Sequence, residues 1–544
     1  MSKKMSPSAK RRAAKPRPTA GKSWLPPWKK KLMRSMFPPP TRRSWQPSPY
    51  EAMLRDYAAY ERDISAEIIA AGSGRKGEQD TQSVLAKHAS LFSPRNVKAT
   101  RGWAERLPGR ALIDRHERSA WAILEGLMAR KTARASDLTA NASAQGSVIL
   151  HDRTIPYYDL LSVLSRTKDP LEREEIWQAR TAFIDEALNP LLVSENKTAL
   201  KTLSRLGFEN LRQMCEQKKR VSYDELAEKL CRLAAETEAL YMDAMHRFFR
   251  RKMRVLFPGA SRAHEAYFLS LREFDRQFPA DRLYSVCTET FRGLGLDLEA
   301  APNLHVDGED RPQKDPRAFC VATNAPDDVT LVFKPRGGAD DYASFLHEAG
   351  HAWHYALTDA RLPYELRAMP RSLALTETYA FLMEMLLQNE RWLVTVAGLD
   401  PATAQDVARR QRLIDLYLLR RYIGKLQYEL ELNRHPADNW RNRFYYRTLL
   451  TALTGVDHDD ACYLEDLDED LYAADYLRAW LAEAQLRRHL TRTYGEEWFR
   501  KAAAGEFLRS LWAKGDSWEC EDLVKSLGFE PWDTAPLKER FAGL

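Results

Sequence analysis

From Pro49 onward, apolar residues recur at helical spacing over most of the chain. Residues 50–71 show the pattern: their large apolar side chains lie three or four positions apart, and the segment ends before a turn that contains Gly72. The spacing recurs in residues 170–195, 223–249 and 281–294. It predicts a mainly α-helical chain whose apolar stripes form the core.

Two short β-like segments interrupt this helical pattern. Residues 318–323 and 328–334 are rich in β-formers, and the residues between them have turn chemistry. After the turn at 335–338 the helical pattern returns, with Asp340 or Asp341 as a possible cap. We therefore expect a small β-sheet next to a helix that begins near residue 340.

Length and charge define three regions. The chain has 544 residues and a net charge of +7, but residues 1–50 hold fourteen Lys and Arg and no acidic residue, which leaves −7 for the rest. Together with its many prolines, this composition predicts a basic, Pro-rich disordered tail at 1–48. The tail could be an arm that binds nucleic acid or an anionic surface, a transit peptide, or a solvated tail without function. Alternatively, the start codon is placed too early and the segment is not translated. A helical N-terminal region at 49–300 and a C-terminal region at 301–544 follow.

Hydropathy and cysteine content exclude several classes of protein. No uncharged apolar stretch approaches the roughly 18 residues of a membrane span, and the N-terminus lacks the apolar core of a secretory signal. The six cysteines are scattered without a CxxC pair, which disfavours a disulfide framework and a thiolate zinc site. We expect no membrane association and a cytoplasmic location.

The segment DDYASFLHEAGHAWHYAL contains the HExxH motif. On a helix, His347 and His351 lie one turn apart, about 40° and 6 Å from each other, so both imidazoles can reach one zinc ion. Glu348 lies beside them. This is the zincin arrangement, in which the glutamate is the general base for the attacking water.

A zinc ion needs a third protein ligand, and helix geometry narrows the choice. His354 lies about 10.5 Å along the axis from His347, too far to bind the same ion. The sequence places Glu365, which follows Pro363, in a loop, whereas Glu377 falls in a helical stretch and is the better ligand. Glu384, two turns later, either orients a ligand histidine or is a solvated or structurally paired carboxylate.

These motifs resemble the oligopeptidase family of zinc metallopeptidases that includes thimet oligopeptidase and oligoendopeptidase F. HEAGHAWH is similar to its HExGHxxH, ETYAFLME resembles its downstream glutamate helix, and the resemblance covers roughly two thirds of the chain. It implies one zinc ion per chain on His347, His351 and Glu377, with Glu348 as base. The implied fold is a two-lobed helical zincin-type (gluzincin) metallopeptidase with a small β-sheet next to the active-site helix.

The resemblance also implies a downstream histidine and tyrosines that bind substrate and polarise the scissile carbonyl. His458 and Tyr463 fit an H-x4-Y spacing, and Tyr472 and Tyr476 follow. His458 and Tyr476 are the catalytic candidates, and Tyr463, Tyr472 and Arg478 the substrate-binding ones. The acidic interval LEDLDED departs from the family pattern, and the alternatives are that the tyrosines are core residues and that Arg478 forms a surface ion pair.

The sequence thus predicts a zinc-dependent oligopeptidase that hydrolyses internal bonds of short unstructured peptides. The strand at 328–334 would offer an edge to which an extended peptide adds. Two alternatives stay open: a zinc carboxypeptidase or aminopeptidase of related helical fold, and a noncatalytic peptide- or nucleic-acid-binding protein. The −7 charge of the body disfavours a broad nucleic-acid surface. The sequence does not specify the oligomeric state or the preferred peptide.

Overall fold

Helices make up most of the computed structural model, which describes residues 48–311, 313–315 and 317–544. The prediction of a mainly α-helical chain with small sheets is confirmed. All of the predicted tail except its last residue lies outside the described residues. Residues 53–544 form one compact unit, and the region boundary at residue 300 stays a prediction.

The first half of the described chain contains twelve of its α-helices. They are α1 Pro49–Gly72, α2 Thr81–Lys87, α3 Pro94–Ala104, α4 Arg110–Gln145, α5 Leu160–Arg166, α6 Pro170–Phe183, α7 Asn189–Arg205, α8 Leu211–Lys219, α9 Tyr223–Glu236, α10 Glu238–Phe248, α11 Glu265–Leu269 and α12 Ala280–Gly293. A π-helical turn joins α6 to α7, and Thr237 separates α9 from α10. The predicted segments 170–195 and 223–249 are therefore helical but interrupted.

Ten further helices follow the central sheet. They are α13 Ala339–Ala356, α14 Glu365–Ala368, α15 Ala374–Glu384, α16 Glu390–Thr395, α17 Pro401–Arg434, α18 Asn439–Thr454, α19 Tyr472–Tyr494, α20 Ala502–Trp512, α21 Cys520–Ser526 and α22 Ala535–Phe541. The HExxH motif lies in α13, whose inward-facing residues Phe345, Leu346 and Ala349 are fully buried. Burial of these apolar side chains fixes the helix against its neighbours.

The strands form three small sheets. They are β1 Ser147–Leu150, β2 Arg153–Pro156, β3 Ala260–Ser261, β4 Leu304–Asp307, β5 Phe319–Asn324, β6 Asp328–Val332 and β7 Val456–Asp457. β1 pairs with β2, and β3 pairs with β7. The third sheet has the order β4-β6-β5, with β6 parallel to β4 and antiparallel to β5. This sheet lies next to α13, as the sequence predicts.

The strand order corrects one prediction about this sheet. The segment at 328–334 was expected to offer a free edge, but β6 is the central strand, because β4 pairs with its other side. Within the described residues, β5 is the strand next to α13 that pairs on one side only. The free edge therefore belongs to β5.

The start of α13 also differs from expectation. The cap residue is Gly338, with φ at 97°, a left-handed value that glycine adopts without strain. Asp341 instead accepts hydrogen bonds at Oδ2 from the backbone N–H groups of Arg336 (2.6 Å) and Gly337 (2.8 Å). Asp341 thus stabilises the turn that connects the sheet to α13.

Two further findings bear on the classes excluded above. Over the described part of the chain, every helix is too short or too polar to cross a bilayer. The six cysteines are free thiols.

Candidate metal centre

The two histidines of the HExxH motif lie one helical turn apart on α13. Their ring centroids are 4.9 Å apart, so both imidazoles point to the same region. Gly350 lies between them along the chain and lets α15 approach closely. A Cβ atom at Gly350 would lie 2.7 Å from Cα of Ala380 and from the carbonyl oxygen of Tyr379. The glycine in HEAGH therefore brings the next helix within reach of the histidines.

Glu377, in the first turn of α15, completes the group. The Nε2 atom of His347 lies 3.3 Å from Oε2 of Glu377, and the Nε2 atom of His351 lies 3.5 Å from Oε1. One ligand atom from each of the three residues lies within 4.8 Å of the other two. We call this group the metal trio; among the described residues it is the one such group of three or more His, Cys, Asp or Glu.

The spacing of the metal trio fits a divalent metal ion. A tetrahedral ion with ligand distances of about 2.1 Å holds neighbouring ligand atoms about 3.4 Å apart. The two nitrogen–oxygen separations of 3.3 and 3.5 Å agree with this value. Each separation involves a different oxygen of Glu377, so the side chains are arranged for an ion held by two imidazole nitrogens and one carboxylate group.

Hydrogen bonds behind the metal trio fix the orientation of both rings. The Nδ1 atom of His347 lies 2.8 Å from Oε2 of Glu384, and the Nδ1 atom of His351 lies 2.8 Å from Oγ1 of Thr376. A proton on Nδ1 of each ring, donated to these oxygens, would leave the Nε2 lone pair for a metal. Of the two roles that the sequence left open for Glu384, its contact with His347 agrees with the one that orients a ligand histidine. The contact of Thr376 with His351 was not predicted.

Electrostatics in the metal trio favour bound positive charge. Burial opposes the charge on Glu377, but His351 and His347 outweigh it and hold the pKa of Glu377 far below its usual range. Burial also disfavours a charged His347, yet Glu377 and Glu384 raise the pKa of its imidazole well above the ordinary value. The buried carboxylate is thus stabilised by positive charge close to it, which a bound cation would supply.

Glu348 faces a cavity that reaches the metal trio. The cavity has a volume of about 690 Å³ and is lined by Ile68, Gly72, Gln79, Asp315, Arg317, Ala318, Phe319, Cys320, Val321, Ala343, Ser344, His347, Glu348, Glu384 and Tyr476. Burial raises the pKa of Glu348, while both trio histidines and the backbone N–H of Cys320 act in the opposite direction. A carboxylate with a raised pKa beside a cation site suits proton transfer near neutral pH.

Tyr472 and Tyr476, at the start of α19, lie beside the metal trio. The phenol of Tyr472 donates a hydrogen bond to Oε1 of Glu377. The ring of Tyr476 packs 4.7 Å from that of Tyr472 and lines the cavity. Burial, followed by the charge of Glu377, raises the pKa of both phenols, so both stay protonated hydrogen-bond donors.

The structure places His458 and Tyr463 elsewhere. His458 is fully buried, and its Nδ1 atom lies 2.9 Å from the carbonyl oxygen of Val456. Burial lowers the pKa of His458 to about 3. Tyr463 is also buried, with the guanidinium of Arg443 lying 5.0 Å from its ring. Neither lines the cavity at the metal trio, so the H-x4-Y spacing is a poor guide to the residues near the trio.

Arg478 is a structural residue. It is 1% exposed and forms a bidentate ion pair with Glu521, with both nitrogen–oxygen distances 2.8 Å, and a further contact with Asp475 at 3.1 Å. Because its donors are used internally, it is not available for a substrate carboxylate. The ion pair predicted as an alternative is present, but it is buried rather than on the surface.

The other candidates for a third ligand have different partners. Glu365 is fully buried and lies 3.1 Å from a guanidinium nitrogen of Arg115. His354 is buried two turns further along α13, where its ring packs 4.9 Å from that of Tyr379. The choice of Glu377 over both residues agrees with these positions.

Comparison with known proteins adds no further identification. The chain matches no model of a known protein family, and its sequence has no significant match among curated proteins. The metal trio and its surroundings therefore carry the functional argument.

Proposed function

We propose that the chain is a zinc-dependent oligopeptidase that hydrolyses internal bonds of short unstructured peptides. The observation that carries the proposal is the metal trio: His347, His351 and Glu377 at separations suited to one tetrahedral ion, beside Glu348 in an open cavity. Resemblance of HEAGHAWH and ETYAFLME to the oligopeptidase family supports the same activity. It also suggests the two-lobed zincin-type fold as part of the proposal.

Zinc is the proposed metal because of the donor set. Two imidazole nitrogens and one carboxylate oxygen suit a borderline metal such as zinc, whereas magnesium and calcium prefer oxygen ligands. An ion held by three protein ligands would keep a position for water and substrate, as in catalytic zinc sites. The rings held at Nδ1 by Glu384 and Thr376 are ready to bind without rearrangement.

Glu348 acts as the general base in the proposed mechanism. Bound zinc supplies a Lewis acid that acidifies the attacking water and polarises the scissile carbonyl. Glu348 takes the proton from the water as it attacks and passes that proton to the leaving amine, which breaks the peptide bond. The raised pKa of Glu348 suits both steps, because the group must accept a proton and then release it.

Tyr476 is the proposed donor to the developing oxyanion. It lines the same cavity as Glu348, and its phenol remains protonated because burial raises its pKa. Tyr472 is less available, since its hydroxyl already donates to Glu377. We assign no catalytic role to His458 and no substrate-binding role to Tyr463 or Arg478.

The free edge of β5 is the proposed binding surface for the peptide backbone. Ala318, Phe319, Cys320 and Val321 all line the cavity, so a peptide added along this edge would pass the metal trio. Main-chain hydrogen bonds provide affinity with little dependence on sequence. β5 therefore takes the role that the sequence assigned to the strand at 328–334.

Metal analysis and peptide digestion together test the proposal. The purified protein should contain about one zinc ion per chain and should cut a mixed peptide library at internal bonds, read by mass spectrometry. Peptides acetylated at one end and amidated at the other should be cut as well as free ones, and folded proteins should stay intact. Stepwise digestion restricted to free termini would favour the exopeptidase alternative. Zinc-loaded protein that cuts no peptide would favour the noncatalytic one.

A further inference from the structure

A short segment between α10 and β3 carries positive charge that the protein does not neutralise. Residues 244–264 contain six Lys and Arg and no acidic residue. Four of these cations are exposed: Arg250, Arg251, Lys252 and Arg254. No carboxylate of the described residues pairs with any of the four, although the neighbouring Arg247 pairs with Asp243. We call these four residues the basic patch.

An exposed leucine lies beside the basic patch. Leu256 is 87% exposed, more than the other large apolar side chains in the described part of the chain. It lines a cavity of about 440 Å³ together with Arg250 and Arg254. Water is an unfavourable environment for an aliphatic side chain, so its burial against another molecule would be favourable. The segment thus presents cations and an aliphatic side chain on one surface.

Buried neighbours hold this surface in place. The segment forms a π-helical turn, Phe249–Met253, whose first and last side chains are buried. The backbone N–H of Arg254 donates to the carbonyl oxygen of Phe249 at 2.9 Å and closes the turn. Phe257 is also buried and packs so closely on the end of α18 that a Cβ atom at Gly455 would lie 2.6 Å from its Cζ atom. The exposed side chains are therefore presented on a fixed backbone, so binding requires little ordering.

The chemistry of this surface fits a lipid bilayer with anionic headgroups. Clusters of four to eight Lys and Arg bind such headgroups, and an adjacent apolar side chain enters the boundary of the acyl region. A nucleic acid would also attract the cations, but proteins that bind single strands add exposed aromatic rings on which bases stack. In this segment Phe249 and Phe257 are buried, and the ring of Phe248 packs 4.1 Å from the guanidinium of Arg410. The exposed apolar side chain is aliphatic, which favours a lipid surface.

We propose that the basic patch and Leu256 form a peripheral docking site for an anionic lipid surface. The expectation of no membrane association rested on the lack of a spanning segment, which peripheral binding does not require. The residues that line the cavity at Leu256 are all different from those that line the cavity at the metal trio. The docking site is therefore independent of the proposed peptidase activity.

Sedimentation with vesicles tests the docking site. The full-length protein is mixed with vesicles of equal parts phosphatidylserine and phosphatidylcholine, and separately with vesicles of phosphatidylcholine alone. It should bind the anionic vesicles more tightly by about tenfold or more, and added salt should weaken that binding. The basic segment at 1–48 is present in every protein compared, so differences between variants report on the basic patch. Equal binding to both kinds of vesicle would contradict the proposal.

A double substitution tests the charge of the basic patch. Arg250→Gln combined with Arg251→Gln should lower the affinity for the anionic vesicles by about 25-fold, because each cation near such a surface contributes about fivefold. Arg95→Gln combined with Lys98→Gln is the control: it removes the same charge from α3, where both side chains are exposed. The control should change the affinity by less than about twofold, because its charges lie outside the docking site. An equal loss in both double variants would show general charge attraction and would overturn the site.

Leu256→Ser tests the apolar contribution, which distinguishes a lipid surface from a nucleic acid. Affinity for the anionic vesicles should fall by about fivefold or more, since the aliphatic side chain no longer enters the bilayer. Leu171→Ser is the matched control, at a leucine of α6 that is 74% exposed, and should leave the affinity unchanged. If Leu256→Ser binds the vesicles as well as the wild type does, while the arginine substitutions weaken binding of single-stranded RNA, the surface is a nucleic-acid site and the lipid assignment is wrong. Vesicle binding that neither set of variants changes would also overturn it.

Discussion

Two regions of this protein contain the same kinds of side chains. They differ in whether those side chains border an open cavity or are fully paired inside the protein. The metal trio combines His347, His351 and Glu377 with two tyrosines, and it borders a cavity of about 690 Å³. The second region, around His458, combines that histidine with Tyr446 and the carboxylates of Glu265 and Asp466. Residue types alone would make either region a plausible active site.

The carboxylates around His458 are fully paired by cations. Arg262 lies 2.9 Å from Glu265, and Arg421 lies 3.0 Å from Glu265 and 2.6 Å from Asp466. Against the effect of burial, these arginines lower the pKa of Glu265 to about 2. Buried carboxylates with such partners form a structural network, because every charge is compensated within the protein.

In the metal trio the charge of the buried carboxylate is not fully compensated by protein groups, and a bound cation would complete the compensation. The two Nε2 atoms and the carboxylate converge on one point, while the Nδ1 atoms are already bound to Glu384 and Thr376. The difference teaches that converging lone pairs next to a cavity, rather than a particular set of residues, distinguish a reactive site from a structural one. The following variants test this distinction.

Glu377→Ala should have the largest effect. Removing the carboxylate leaves two imidazoles, so the protein should lose most of its bound zinc and with it all measurable peptidase activity. Zinc content by elemental analysis is the measurement. Glu365→Ala is the control: it removes a buried carboxylate paired with Arg115 and should keep about one zinc ion per folded chain. Full zinc content in Glu377→Ala would mean that another residue is the third ligand.

Glu348→Gln should separate metal binding from chemistry. Glutamine has a similar shape but cannot accept a proton from water at neutral pH, so kcat should fall by about a hundredfold to ten-thousandfold. Zinc content and thermal stability should stay close to those of the wild type, since Glu348 is not a member of the metal trio. Activity within a few fold of wild type would remove Glu348 from the mechanism.

The spacing of the metal trio was predictable because it is local. His347 and His351 are fixed by one helical turn, and Glu377 was selected because it falls on a helix whereas Glu365 was assigned to a loop. His458 and Tyr463 show the limit of this reasoning: a sequence interval gives separation along the chain but not which side of a helix bundle a loop reaches. Tyr463, for example, is buried in a cluster with residues of the adjacent α18 and of α6 and α17, which are distant in sequence.

The sheet shows the same contrast between local and distant information. β-forming residues predicted the positions of β5 and β6, and both strands are present. Which strand has a free edge depends on β4, whose four residues, Leu304–Asp307, include a histidine and an aspartate and lack a clear β pattern. The edge could not be assigned without knowing that β4 pairs with β6.

Tyr476→Phe and His458→Phe compare the two regions directly. Loss of the Tyr476 hydroxyl should lower kcat by about a hundredfold with little change in KM, because an oxyanion contact strengthens mainly in the transition state. His458→Phe should change kcat per zinc-loaded molecule by less than about twofold and should act on stability, since it loses the hydrogen bond to Val456. The reverse result, with His458 dominating kcat, would restore the assignment made from the H-x4-Y spacing.

The smallest expected effect concerns Asp475, which lies between Tyr472 and Tyr476 on α19. It is 1% exposed, and its Oδ2 atom accepts hydrogen bonds from the backbone N–H of Leu373 (3.1 Å), just before α15, and from Nζ of Lys219 (2.9 Å). Through Leu373 it connects the helix that carries Glu377 to the helix that carries both tyrosines.

Asp475→Asn should therefore weaken zinc binding without removing a ligand. Its neutral amide is a poorer acceptor for the Leu373 N–H, so α15 should hold Glu377 less rigidly, and zinc affinity should fall by about tenfold, the lower end for groups that orient metal ligands. Competition with a chelator measures the affinity. Asp415→Asn is the matched control, because Asp415 is similarly buried and paired with Arg540 at 3.0 Å. Its hydrogen bond to Gln388 lies beyond the end of α15, far from Glu377. Both variants should lose stability to a similar extent. Only Asp475→Asn should lose zinc affinity, and an equal loss in both would show that zinc binding follows general stability rather than the position of α15.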